Sequence, residues 1–182
     1  MVGTKNYTIE NFITATELDA MVQDVAQQIV RDFAGQEIVL VGVLDGAFVF
    51  LHHLAQALFN LGMEHITIDF VGLDTYGAGT VSSGEPKITK DIKRDIKGKT
   101  VILVDDIVDS GFSLSILQAM LGARLPKKLV SAALFSKDAR RKIQVPVEYI
   151  GRHIPDEFVI GYGLDFDGRY RELPYVGIVK FS

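Results

Sequence analysis

The chain has no cysteine. It can therefore form neither a disulfide nor a thiolate metal site, and nothing ties it to an oxidising compartment. Long apolar runs are also missing: the longest mostly apolar stretch, Ile38 to Leu44, is strand-sized and far short of a membrane span. The opening residues, MVGTKNYTIENF, carry no apolar run of signal-sequence length. A soluble, cytoplasmic protein without a membrane partner is expected. There is no excess of positive charge, with 19 Lys and Arg against 23 Asp and Glu. That balance argues against nucleic-acid binding but leaves room for a small anion, because backbone amides and a few placed cations can hold phosphate. No repeat, low-complexity segment or linker interrupts the 182 residues, so one domain spanning 1–182 is expected.

Three familiar signatures fail on inspection. No GxGxxG opens a helix, which removes support for nicotinamide or flavin binding. Gly98-Lys99-Thr100 ends like a P-loop, but Lys93 stands where its first glycine belongs, and a strand follows instead of preceding. His52, His53, His65 and His153 have no metal-ligand spacing.

What is present is alternation. Leu18, Met21, Val22, Val25, Ile29 and Phe33 recur at helical spacing over Glu17 to Phe33, with Thr16 as the expected cap and Gly35 as the stop. Glu37 to Leu44 reads as a strand buried on both faces, Ala47 to Leu61 as a second helix, and His65 to Gly72 as another strand. Thr75 to Glu85, rich in Gly, Ser and Thr, reads as a mobile loop. Lys87 to Lys99 reads as a solvated face with an apolar seam through Ile88, Ile92 and Ile96. Further strands are expected at Thr100 to Val104, Leu129 to Phe135, Val147 to Ile150, Phe158 to Ile160 and Val176 to Val179, with a helix over Ser113 to Gly122. Such alternation implies a mainly parallel sheet covered on both faces, whose ligands sit beyond the carboxyl ends of its strands.

The richest segment is VILVDDIVDSGFSLS, Val101 to Ser115. A buried strand delivers Asp105 and Asp106, a short loop adds Asp109, and Ser110-Gly111-Phe112-Ser113 opens a helix. Exposed amides at a helix start, with small residues allowing close approach, make a cradle for a monophosphate. Ionised carboxylates are pure acceptors and suit a sugar diol. Phosphate and diol together describe a ribose 5-phosphate. Taken alone, an acidic doublet after a strand also fits a helix cap or part of a phospho-acceptor site.

VDDIVDSGFS resembles the phosphoribosyl-pyrophosphate binding motif of the type I phosphoribosyltransferases, in particular their hypoxanthine–guanine branch. The resemblance runs from about Val39 to Val179, and IPDEFVIGYGLDFDGRYREL, Ile154 to Leu173, favours the purine-salvage branch. It implies an α/β fold: a mainly parallel twisted sheet flanked by helices, with a small hood formed by terminal segments. It also implies transfer of a phosphoribosyl group from phosphoribosyl pyrophosphate to a 6-oxopurine, with Mg2+ as cofactor, by a homodimer or homotetramer. Apolar surface on the first helix would suit such an assembly. By the same resemblance Asp105 and Asp106 hold the ribose hydroxyls, and Asp109, Ser110, Gly111, Phe112 and Ser113 hold the 5-phosphate. Asp109 is also the candidate proton acceptor for the purine imidazole. Lys137 looks like the donor to the 6-oxo group, Phe158 like the stacking aromatic, and Val159 like the residue whose backbone meets the purine. Asp165 resembles the acid on the purine and magnesium side, joining Asp105 and Asp106 as a metal ligand. Arg171 resembles the pyrophosphate arginine, beside the turn at Asp45 and Gly46, and Thr75-Tyr76 a lid hinge. Asp45 departs from the pattern, standing where many members place a basic residue.

Read without the resemblance, Lys137, Asp165 and Arg171 would be surface residues and Phe158 a core aromatic. Lysine offers donors only, so it pairs with an oxo group and disfavours adenine. Three rival readings stay open: a phosphoribosyltransferase for another base, a non-catalytic nucleic-acid regulator on the same fold, and a receiver-type signalling domain.

Overall fold

Thr14, not Thr16, begins the first helix of this computed structural model, which describes residues 7–74 and 87–181. The Thr14 Oγ1 accepts the Glu17 amide at 3.3 Å while Glu17 Oε2 accepts the Thr14 amide at 2.9 Å. Only Thr14 has a glutamate three residues on, and this reciprocal capping box decides between the two threonines. The helix, α1 (Ala15–Phe33), buries Leu18, Met21, Val22, Val25, Ala26, Ile29 and Phe33, the stripe that periodicity predicts. That stripe is spent inside the chain. The large exposed apolar side chains of the described residues lie elsewhere, among them Phe48 and Phe59 on α2 (Phe48–Asn60) and Ile68 on β3 (Ile66–Asp74). The expected apolar surface on the first helix is thus corrected to the second.

Six strands form the main sheet in the order β4-β3-β2-β5-β6-β7. They are β2 (Ile38–Leu44), β3, β4 (Lys87–Lys90), β5 (Thr100–Val108), β6 (Lys128–Ser136) and β7 (Tyr149–His153). All neighbours are parallel except β3 and β4. Residues of the central strands alternate between two cores, as pleating requires. Ile38, Leu40, Ile102 and Val104 join α1 and α2. Val39, Val41, Val101 and Leu103 join α3 (Phe112–Gly122), together with Ile92 and Ile96, so the predicted apolar seam is buried. The segment carrying that seam starts as the antiparallel edge strand β4.

The helix after β2 packs on one face of the sheet and the helix after β5 on the other. These two strands are neighbours, so their carboxyl ends diverge around a crevice, where ligands of open α/β sheets bind. A second sheet stands over it, antiparallel and in the order β1-β9-β8: β1 (Tyr7–Ile13), β9 (Val176–Phe181) and β8 (Val159–Ile160). The fold is the expected one, terminal hood included. The strand β1 has no counterpart in the sequence reading, since YTIENFI is half polar and only Ile13 is fully buried.

Candidate active site

Pairing between β2 and β5 ends at Gly42 and Val104, one residue before the acids. Beyond that point β5 keeps only β6, and its alternation reverses: Ile107 packs on the α1/α2 core and Val108 in the α3 core. The acids stand at the reversal and satisfy local amides themselves. Asp105 Oδ1 accepts the Asp106 amide at 3.0 Å, and Asp106 Oδ1 accepts the Ile107 amide at 2.8 Å. Burial, and then the adjacent Asp106 charge, push the Asp105 carboxyl well above the usual carboxylate range. Burial raises Asp106 as well, with the Arg171 cation among the influences opposing it.

The doublet faces two ways. Asp105 lines a cavity of about 70 Å³ with Asp109, Ser110, Gly111 and Ser113. Gly111, the cap residue of α3, has no side chain to offer, and beyond the Phe112 amide, which Ser110 Oγ accepts, the next amides of the helix remain available to an anion. Gly111 has φ +83, and a Cβ there would lie 2.4 Å from the Ile143 carbonyl oxygen, so only glycine fits. Phe112 is an exposed first residue of α3 whose amide reaches Ser110 Oγ at 3.3 Å. Asp106 instead leans on the turn after β2. A Cβ on Gly46 would fall 1.8 Å from Asp106 Oδ2. The Leu44–Asp45 peptide bond in this turn is cis.

Gly163, with φ +101, closes the far side of that turn: its own Cβ would lie 2.1 Å from the Gly46 carbonyl oxygen. Arg171 Nη1 donates to the Gly163 carbonyl at 2.5 Å and its Nη2 pairs with Asp165 at 2.8 Å. Asp165 also accepts the Gly168 amide at 2.8 Å. Asp45, Gly46, Asp106, Asp165 and Arg171 therefore belong to one neighbourhood. Among the described residues no three His, Cys, Asp or Glu side chains converge as a metal cage, so Asp165 does not join Asp105 and Asp106 in a pre-formed site.

The base-side residues invert their default readings. Lys137 is only 5% exposed. Burial lowers its pKa below the usual lysine value, against the charges of Asp109, Asp156 and Glu157. Within the described residues no carboxylate pairs with it. Phe158 is 45% exposed, an open aromatic face braced edge-on by Phe166 at 5.5 Å. Val159 sits on the hood's edge strand. Its neighbour Phe158 accepts the Val179 amide at 2.9 Å, which makes Val159 and Ile178 a non-hydrogen-bonded pair. The Val159 amide and carbonyl thus point away from β9, over the open edge.

Sequence reasoning missed Arg140, which pairs with Asp109 at 3.0 Å and with Asp156 at 2.7 Å. It also missed Gly163; the GYG of Gly161 to Gly163 was the available signal, since three consecutive residues there have positive φ. Thr75 and Tyr76 lie outside the described residues.

The helix start that shares a cavity with Asp105, and the Gly46–Asp106–Asp165–Arg171 neighbourhood, lie at the carboxyl ends of the central strands, where open α/β sheets bind ligands. The chain belongs to the phosphoribosyl transferase domain family, which matches it over residues 13–167. Within that family it stands with the hypoxanthine and hypoxanthine–guanine phosphoribosyltransferases. It is 43% identical to the hypoxanthine phosphoribosyltransferase of Salmonella typhimurium, over 95% of this chain and 96% of that one. A crystal structure of a hypoxanthine-guanine phosphoribosyltransferase from Bacillus anthracis superposes with TM-score 0.86 at 40% identity, covering 96% of this chain and 100% of that chain. The hypoxanthine phosphoribosyltransferase of Trypanosoma cruzi, solved with the product IMP, gives TM-score 0.86 at 32% identity over 94% of each chain.

Proposed function

We propose that this chain is a purine-salvage enzyme that transfers the phosphoribosyl group of phosphoribosyl pyrophosphate to hypoxanthine, and to guanine, releasing pyrophosphate. The observation that carries the reading is the shared crevice, in which Asp105 and the Asp109–Ser113 cradle line one cavity. The 5-phosphate takes the amides at the start of α3. The acids of the doublet orient the ribose, Asp105 from the cradle side and Asp106 from the side of the Gly46 turn. Pyrophosphate leaves toward Arg171 and that turn, whose backbone serves although Asp45 brings no positive charge.

The purine stacks on Phe158, presents its 6-oxo group to Lys137, and meets the free backbone edge of Val159. Asp109 takes the imidazole proton as the new glycosidic bond forms. The salt bridge from Arg140 keeps the Asp109 carboxylate oriented. Asp105, Asp106 and Asp165 offer the hard oxygen donors that magnesium takes, and the crowded doublet favours a cation beside it. Magnesium commonly takes one or two carboxylates together with phosphate oxygens, so these acids would be enough to hold it beside the substrate. When bound, it offsets the charge of the departing pyrophosphate.

A cytoplasmic homodimer or homotetramer is the working assembly. Among the described residues no helix is long and apolar enough to cross a membrane. The deciding experiment is pyrophosphate release with magnesium, phosphoribosyl pyrophosphate and each purine in turn. Release with hypoxanthine and guanine but not adenine is expected; release with adenine alone, or with no base, would overturn the assignment.

A further inference from the structure

From Val104 to Ser115 the phosphate-binding segment carries Asp105, Asp106 and Asp109 and no lysine or arginine. Amide donors would then face a dianion beside three acids; Arg140 pairs with Asp109, and the repulsion that remains calls for a further cation from elsewhere in the fold. Such a cation lies beneath the loop. Arg141 is 10% exposed, and its Cδ lies 3.2 Å from the position a Cβ on Gly111 would take. Its Nη2 donates to Ser136 Oγ at 2.7 Å and reaches the Val108 carbonyl at 3.5 Å. The carboxylate paired with it, Asp138, is 3.9 Å away and 65% exposed. Its Nη1 is buried and without a partner, alone in this among the side-chain atoms of the described residues.

A guanidinium held this way is under-compensated. Desolvation works against it, and the carboxylate paired with it, Asp138, is at the far limit of an ion pair and open to solvent. Its field is correspondingly little screened where it meets the loop. The same segment is tied to that loop by backbone: the Lys142 and Ile143 amides both donate to the Ser110 carbonyl at 3.0 Å, and the Lys137 amide to Val108 at 3.0 Å. The cation is thereby kept under the cradle.

We propose that Arg141 is a positioning residue for the 5-phosphate, a buried charge that offsets the three acids from beneath the Val108–Gly111 loop without touching substrate. The inference rests on the phosphoribosyl-transfer reading above. Its test compares wild type, Arg141→Gln and Arg141→Lys by calorimetric titration with ribose 5-phosphate and by steady-state kinetics. Loss of the charge in R141Q should weaken ribose 5-phosphate and raise KM for phosphoribosyl pyrophosphate by about tenfold, the scale of one through-space charge in a partly screened interior. KM for hypoxanthine should stay within about threefold, and R141K should recover most of the loss.

Equal losses in R141Q and R141K, at matched melting temperatures, would overturn the role of charge. A parallel rise in both KM values would overturn the placement at the phosphate. If R141Q does not fold, Arg141→Met, which leaves no buried donor unmet, takes its place as the neutral variant. A wild type that binds ribose 5-phosphate but transfers nothing to purines would refute the proposed activity and leave the Arg141 comparison intact.

Discussion

Substituting alanine for Gly46 would set a methyl carbon 1.8 Å from Asp106 Oδ2 and 2.6 Å from its Cγ. Ordinary contact needs about 3.5 Å, so the carboxylate must retreat by roughly 1.7 Å or the turn must back away. The turn has no room behind it, because Gly163 already abuts the Gly46 carbonyl closely enough that a Cβ there would fall 2.1 Å from it. Asp106 must therefore move, giving up its 2.8 Å bond from the Ile107 amide. Overpacking of this kind costs about 1–3 kcal/mol, and each kcal/mol lowers Tm by about 2–4 °C for a chain of this length. Catalysis should suffer more, because a displacement of about 1 Å in a reacting group costs on the order of 100-fold in rate. Thermal melting and steady-state kinetics on G46A test both halves. A variant with kcat and KM for phosphoribosyl pyrophosphate within twofold of wild type would refute the claim that Asp106 works from its place against Gly46.

Asp109→Asn should cut turnover by about 10²–10⁴-fold with its melting temperature little changed, and near-normal turnover in rapid-quench assays would remove the proton-acceptor role. Lys137→Met should lower kcat/KM for hypoxanthine by about 10–100-fold and narrow its preference over adenine. Because burial lowers the Lys137 pKa, its donor proton is lost earlier as pH rises than the ordinary value of about 10.4 would give, so wild-type kcat/KM should fall on the alkaline side and K137M should lack that limb. Asp105→Asn should abolish most activity yet raise Tm in metal-free buffer. A carboxyl whose folded pKa lies above its unfolded value destabilises the fold as pH rises, so the gain should be present at neutral pH and vanish below about pH 3.9. A D105N melting point at or below wild type at pH 7 would contradict it.

The acidic segment Val101–Ser115 was legible because one local stretch holds all its parts. Val101 to Val104 bury themselves, and the acids, glycine and hydroxyls follow in the order in which the chain delivers them to the crevice. The base side was not legible without the family resemblance. Lys137 lies in SKDARRK, where composition says surface, yet it is buried where the chain leaves β6, its amide held by the Val108 carbonyl at 3.0 Å. Phe158 is misjudged in the opposite sense, since an aromatic between a glutamate and a valine looks like core until the hood strand leaves it uncovered. The cap at Thr14 was available in the spacing to Glu17. Partnerships such as Arg140 with Asp109, thirty-one residues apart, depend on tertiary placement that periodicity cannot carry.

The hood has the order β1-β9-β8, so the strand that comes latest among the described residues is the one in the middle. Until Val176–Phe181 leaves the ribosome, β1 has no neighbour to bond and Phe158 has no frame to hold it. The frame around Phe158 therefore hangs on a strand that follows the acidic segment at a distance, and loss of Val176–Phe181 would leave the crevice acids in place while freeing that aromatic from its support.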